Sequence, residues 1–159
     1  MYIMHYQFSM KVSPRAAASP KDQLSRKSLF LRFMTISYRL AAIGAISMAT
    51  AIALGAFGAH GLRDLISDKY LQVFDTGVKY QVYNSLGLLL LSFSGMERKW
   101  PARLILAGML VFSISLYLLS MNEVWGAGLK KLGAITPLGG LLMISGWAWM
   151  GMIWMSRRG

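Results

Sequence analysis

His60 is the imidazole best placed to do chemistry in this 159-residue chain, whose one other histidine is His5 near the start. It stands in the stretch LGAFGAHGL, residues 54–62, where a long apolar run gives way to Arg63 and Asp64. An imidazole at such a boundary can shuttle protons or hold a ligand, because its charge changes near neutral pH. Further along, Tyr80, Gln81 and Asn84 put three polar side chains at the start of a second apolar run. These four residues are the candidate ligand-binding set.

The chemistry open to them is narrow. A lone histidine without a second His, a Cys or a carboxylate pair lacks the spacing of a metal site, so no metal is expected. The chain has no cysteine, which removes thiolate nucleophiles and disulfides. Gly55, Gly58 and Gly61 do not make a phosphate loop, which needs a strand before it, a helix after it and usually a lysine. With no nucleophile–base pair in view, no catalytic residue, enzyme activity or cofactor is expected.

The elements that must position these residues follow from composition. Hydrophobic residues make up 55% of the chain and charged residues 14%, where a soluble domain carries about a quarter charged. Taking His60 as a boundary, four stretches free of charge run over 40–59, 80–96, 104–122 and 132–156, or 20, 17, 19 and 25 residues. A spanning helix needs about 20 apolar residues. The expected fold is therefore an all-α integral membrane four-helix bundle over 36–159, with helices at about 38–60, 70–96, 102–121 and 136–156. A net charge of +11 would point to nucleic acid in a soluble protein. Here the basic residues flank apolar runs, so the expected partner is the lipid bilayer and not nucleic acid.

Residues 1–39 hold seven Lys or Arg against one acid, Asp22. Under the positive-inside rule this predicts a cytoplasmic N-terminus and, with four spans, a cytoplasmic C-terminus. Residues 1–35 read as a basic extension without periodicity. They are either a disordered or surface-lying tail, an organellar transit peptide, or a mis-called start; translation from Met34 is the preferred reading.

On the first helix two small-residue ridges at four-residue spacing, Ala41, Ala45, Ala49, Ala53 and Ser47, Ala51, Gly55, Ala59, predict close helix packing. Gly61 is expected to cap that helix. The second helix is predicted to begin before its apolar run, with a polar stripe at Asp68, Gln72, Asp75 and Lys79 and an apolar one at Leu71, Phe74, Val78 and Val82. Tyr80 and Asn84 share a face with Gly77 and Gly87, which suits inward packing, and Tyr80, Gln81 and Asn84 are expected to hydrogen-bond a neighbouring helix, at about 0.6 kcal/mol per bond in a membrane. Ser113 and Ser115 are expected to satisfy local carbonyls or a neighbour. Thr136 before Pro137 predicts a helix start with Thr136 as its cap. Trp147 and Trp149 lie deeper than an interfacial belt and read as packing or lipid-facing residues.

Several strings, ALGAFGAHGL (53–62), GVKYQVYNSLGLLLL (77–91), FSISLYLL (112–119) and GAITPLGG followed by SGW (133–147), occur in the order found in one bacterial family. In these the chain resembles the domain-of-unknown-function membrane family that includes YgdD and YwdK, over about residues 36–157. The resemblance implies a small four-helix inner-membrane protein with no agreed catalytic or binding residues. Three departures stand out: Asn84 where many relatives have histidine, Ile114 where they often have glycine, and the basic N-terminal extension.

The expected function is an accessory or structural component of the bacterial inner membrane, multi-pass, packing as a homo-oligomer or in a larger membrane complex. The alternative is a small oligomeric transporter or channel for an ion or small solute, in which His60, Tyr80, Gln81 and Asn84 line the path.

Overall fold

The computed structural model describes residues 19, 37–94, 99–126, 128 and 133–156. The chain divides into two units, Met1–Phe33 and Met34–Gly159, and every element below belongs to the second. Apart from Ser19, the expectations on residues 1–35 lie outside the described residues, as do positions 95 and 96 at the end of the second predicted helix.

Among the described residues the structure is helical and contains no strand. Helix α1 covers Tyr38–Phe57 and runs on through a π-helical turn at Gly58–Leu62. Helix α2 covers Asp68–Phe93, α3 Lys99–Ser120, the short α4 Asn122–Trp125 and α5 Thr136–Met155. Three of these are long and apolar enough to cross a membrane: Tyr38–Leu62, Lys99–Ser120 and Thr136–Met155. Helix α2 differs because Asp68, Lys69, Asp75 and Lys79 occupy its first half.

The helix ends follow from local chemistry. Ser67 is extended (ψ 156°) immediately before α2. Its backbone N–H and hydroxyl both donate to the Glu123 carboxylate, at 2.7 and 2.9 Å. A carboxylate from α4 thus satisfies donors at the start of another helix and complements its dipole. Gly126 ends α4 at φ 60°, a left-handed position where glycine carries no Cβ penalty. The backbone N–H of Ser37 donates to the Ser92 carbonyl at 3.0 Å, tying the start of α1 to the end of α2.

Packing runs in chain order: α1 on α2, α2 on α3, α3 on α5. Glycines set the closest approaches. A Cβ on Gly108 would lie 2.6 Å from the Met143 nitrogen and 2.7 Å from the Gly139 carbonyl oxygen. One on Gly139 would lie 2.5 Å from the Phe112 nitrogen. The α5 seam of Gly139, Met143, Gly146, Met150 and Ile153 repeats at steps of four and three, the spacing that keeps one face on a partner. In α2 the buried Phe74, Gly77, Gln81, Asn84, Leu88 and Leu91 keep the same rhythm.

Two apolar clusters result. One joins Leu88, Leu91, Ala102, Ile105, Met109, Met143 and Met150. The other joins Leu62, Ile66 and Phe74, with Leu54, Val78, Tyr117 and Met121 against them.

Three local expectations are corrected. Of the two α1 ridges, the first faces outward at Ala45, Ala49 and Ala53, while the second lies in the interface at Ser47, Ala51 and Gly55 and leaves it at Ala59; Gly44, Ala51 and Gly58 are the buried small residues. A four-residue step rotates about 40° around a helix of 3.6 residues per turn, so a long ridge at that spacing leaves the interface. A seven-residue step drifts only about 20° and stays in it. Gly61 is not a left-handed cap, since Gly126 is the one glycine at positive φ among the described residues. It lies inside the π turn, where the Phe57 ring occupies the place of a Cβ, 2.7 Å away. Finally, α5 begins at Thr136 with Ile135 in the cap position. The Thr136 hydroxyl lies 2.8 Å from that of Ser115.

Candidate functional site

Gln81 is the centre of the polar interior. It is 8% exposed and sits on the α2 face between α1 and α3. Its amide nitrogen donates to the Ser47 carbonyl at 2.9 Å and to the Thr50 hydroxyl at 2.8 Å, both on α1. Its carbonyl oxygen accepts from the Tyr117 hydroxyl of α3 at 2.8 Å. One turn on, Ser85 donates to the Ser47 hydroxyl at 2.8 Å, and the Met109 sulfur lies 3.8 Å from both serine oxygens. The Ser113 hydroxyl donates to the Gly77 carbonyl at 2.9 Å. Three helices are thereby joined through one layer of side chains.

The small-residue seam is what admits this layer. Gly44 passes Leu89 and Ser85 so closely that its Cβ would lie 2.9 Å from Leu89 Cγ and 3.1 Å from the Ser85 carbonyl oxygen. At that separation the short Ser47 and Thr50 side chains reach α2 directly. Each interhelical bond contributes about 0.6 kcal/mol in a membrane, whereas a buried polar group left unpaired costs about 1–3 kcal/mol. The layer therefore fixes which residues must face each other more than it adds stability. Among the described residues no buried side-chain nitrogen or oxygen lacks a partner.

Asn84 belongs to a second contact. Its amide nitrogen donates to the Tyr80 carbonyl at 2.8 Å, and its oxygen accepts from the Trp147 indole N–H at 3.0 Å. Gly87, one turn on, makes room for that indole: a Cβ there would lie 2.4 Å from Trp147 Cζ2. Trp147 is thus a packing residue that also locks α5 to α2 with a hydrogen bond. Trp149 is exposed.

The four sequence candidates do not converge. Gln81 and Asn84 are buried on α2. Tyr80 is 43% exposed, with its ring against Phe112 (centroids 4.7 Å apart) and near Tyr83 (6.3 Å). His60 is exposed in the π turn, beyond Gly58, which packs on Phe74. Gln81 instead meets α1 at Ser47, so His60 stands at the far end of that contact. Asp75 and Lys79 form the helical pair their spacing implies, 2.6 Å apart and more than half exposed.

Sequence reasoning does not place Ser47, Thr50, Ser85 or Tyr117 in a polar site; Ser47 reads there only as part of a packing ridge. Their signal was present: Ser47 and Thr50 stand three apart in an alanine-rich helix, and Gln81 and Ser85 four apart in the next. Both spacings put the pair on one face. Chemically, the layer holds hydroxyls, an amide, a phenol and a thioether, and no general base touches a hydroxyl. Among the described residues no three His, Cys, Asp or Glu side chains group to hold a metal.

The profile of one protein family, described as Protein of unknown function (DUF423), matches residues 54–140, from the end of α1 into α5. The chain is similar to the UPF0382 membrane protein YwdK of Bacillus subtilis, 48% identical over 111 residues, which is 66% of this chain and 86% of that protein. It is also similar to a UPF0382 membrane protein of Staphylococcus epidermidis, 41% identical over 109 residues, covering 66% of this chain and 85% of the relative. No solved structure matches.

Proposed function

Because the chain belongs to the DUF423 family of membrane proteins of unknown function, we propose that it is an accessory or structural component of the bacterial inner membrane, not a conduit or an enzyme. The observation that carries this reading is the closure of the polar layer. Both amide hydrogens of Gln81 are engaged on α1 and its oxygen on α3, so the interior polar groups serve one another instead of lining a path for solute. A conduit needs side chains presented to a lumen, as charged rings or dipoles facing the ion.

In this reading α2 is the fourth crossing. Its uncharged part within the helix, Tyr80–Phe93, is 14 residues, about 21 Å at 1.5 Å per residue. The charged turns before it then stand among the headgroups, and flanking residues accommodate the shorter apolar length. Arg39, Lys99 and Arg103 on one side, against the charge-balanced segment from Arg63 to Lys79 on the other, keep both chain ends on the cytoplasmic side. Homo-oligomers or a larger membrane complex supply the partner.

The reading is tested in liposomes and by labelling. Purified chain and its Gln81→Leu variant should give the same background flux for protons, potassium and small solutes. A flux that rises above empty liposomes with the wild type and falls in the variant overturns the proposal. The cysteine-free sequence makes the topology test clean. Asp64→Cys should label from outside intact spheroplasts, and Ser156→Cys only after permeabilisation.

A further inference from the structure

We propose that the cleft between the end of α1 and the first turns of α2 binds an aminophospholipid of the surrounding bilayer, its ammonium held by Asp75 and its phosphate by Lys79. The cleft encloses about 280 Å³ between Gly55, Gly58 and Ala59 on one wall and Phe74 and Val78 on the other. At about 30 Å³ per water-sized group, that accommodates about nine such groups: a headgroup with the start of its chains, not a whole lipid. The two walls touch beside it, at two glycines that carry no side chain. A Cβ on Gly58 would lie 2.9 Å from the Phe74 ring, and one on Gly55 would lie 3.3 Å from Val78.

The two walls differ in chemistry. The α1 wall is wholly apolar, and the next charge on that helix is Arg63. The α2 wall adds the Asp75 carboxylate and the Gln72 amide, both exposed. Apolar helix end meets charged helix start at this level, which is where headgroups meet acyl chains.

The Asp75–Lys79 pair supplies the selectivity. Its atoms are 2.6 Å apart and its side chains 54% and 59% exposed, so it contributes little on its own and exchanges readily for better partners. A zwitterion carrying ammonium and phosphate matches the pair sign for sign. A lipid with only negative charge meets the Asp75 carboxylate as a like charge.

The test is native mass spectrometry of the full chain in mild detergent. The chain is titrated in parallel with dioleoyl phosphatidylethanolamine and dioleoyl phosphatidylglycerol. The wild type should retain the first about fivefold better, the scale of a single rim charge contact. Asp75→Asn should abolish the preference. Gly55→Leu, which fills the cleft, should lower retention of both lipids. Equal retention by the wild type, a preference surviving in Asp75→Asn, or unchanged binding to a folded Gly55→Leu overturns the proposal. If Gly55→Leu fails to fold, the Asp75→Asn comparison decides alone.

Discussion

Adding one methyl group at Gly139 should destabilise the chain, and adding one at Gly140 should not. A Cβ on Gly139 would lie 2.5 Å from the Phe112 nitrogen and 2.9 Å from both the Gly108 carbonyl oxygen and the Phe112 Cα. These are backbone atoms of α3 and cannot rotate away, so α5 must back off along its closest contact. Overpacking of this kind costs about 1–3 kcal/mol, and a backbone clash belongs at the upper end. Replacing a helical glycine by alanine returns up to about 1 kcal/mol. The net expectation for Gly139→Ala is a loss of about 2 kcal/mol. At Gly140 the nearest atoms to a Cβ are in the Phe112 ring, 3.9 Å away, an ordinary contact. Gly140→Ala should therefore be neutral or gain up to about 1 kcal/mol. Reversible unfolding by SDS titration, followed by circular dichroism, gives both numbers. Equal midpoints for the two variants would refute the packing of α5 on α3 described above.

Three more expectations rest on single contacts. Gln81→Leu and Tyr117→Phe, combined in a double-mutant cycle, should show a coupling of about 0.6 kcal/mol, and additive effects would mean their 2.8 Å hydrogen bond contributes nothing. Gly87→Ala should destabilise the chain because Trp147 Cζ2 lies 2.4 Å from the new Cβ, and Trp147→Phe, which lacks that atom, should recover part of the loss; no recovery would point to a backbone origin. Glu123→Ala should speed amide exchange in the first turn of α2 at a cost of about 1 kcal/mol, since Ser67 loses both its acceptors. Unchanged exchange there would mean that turn holds without the α4 carboxylate.

The all-helical class was legible because charge is confined to short segments, and uncharged runs of 17 to 25 residues leave few alternatives to membrane helices. The polar role of Gln81 and Asn84 was legible too, as an amide pair entering an apolar run. Which α1 residues they meet was not. Serine and threonine in an alanine-rich helix carry no directional signal until the opposing helix is in register, so Ser47 and Thr50 stayed silent. Tyr80 lies one helical turn before Asn84, yet its large ring projects outward onto Phe112 while the smaller amide stays inside. Trp147 was legible as a packing residue, but its hydrogen bond depends on the missing side chain at Gly87, one helix away. The π turn at Gly58–Leu62 was hidden as well: Gly61 near a helix end reads as a cap, and only its lack of a positive φ and the Phe57 ring against it show otherwise.

In the proposed function this family member holds other membrane components together through close helix packing. Native electrophoresis of the chain, extracted from its own membrane in a mild detergent, tests it most directly. The expected result is a discrete band well above the 17.7 kDa chain in its micelle, containing further copies or co-purifying membrane proteins. A monomer alone, with no partner at any detergent level that keeps it folded, would contradict it.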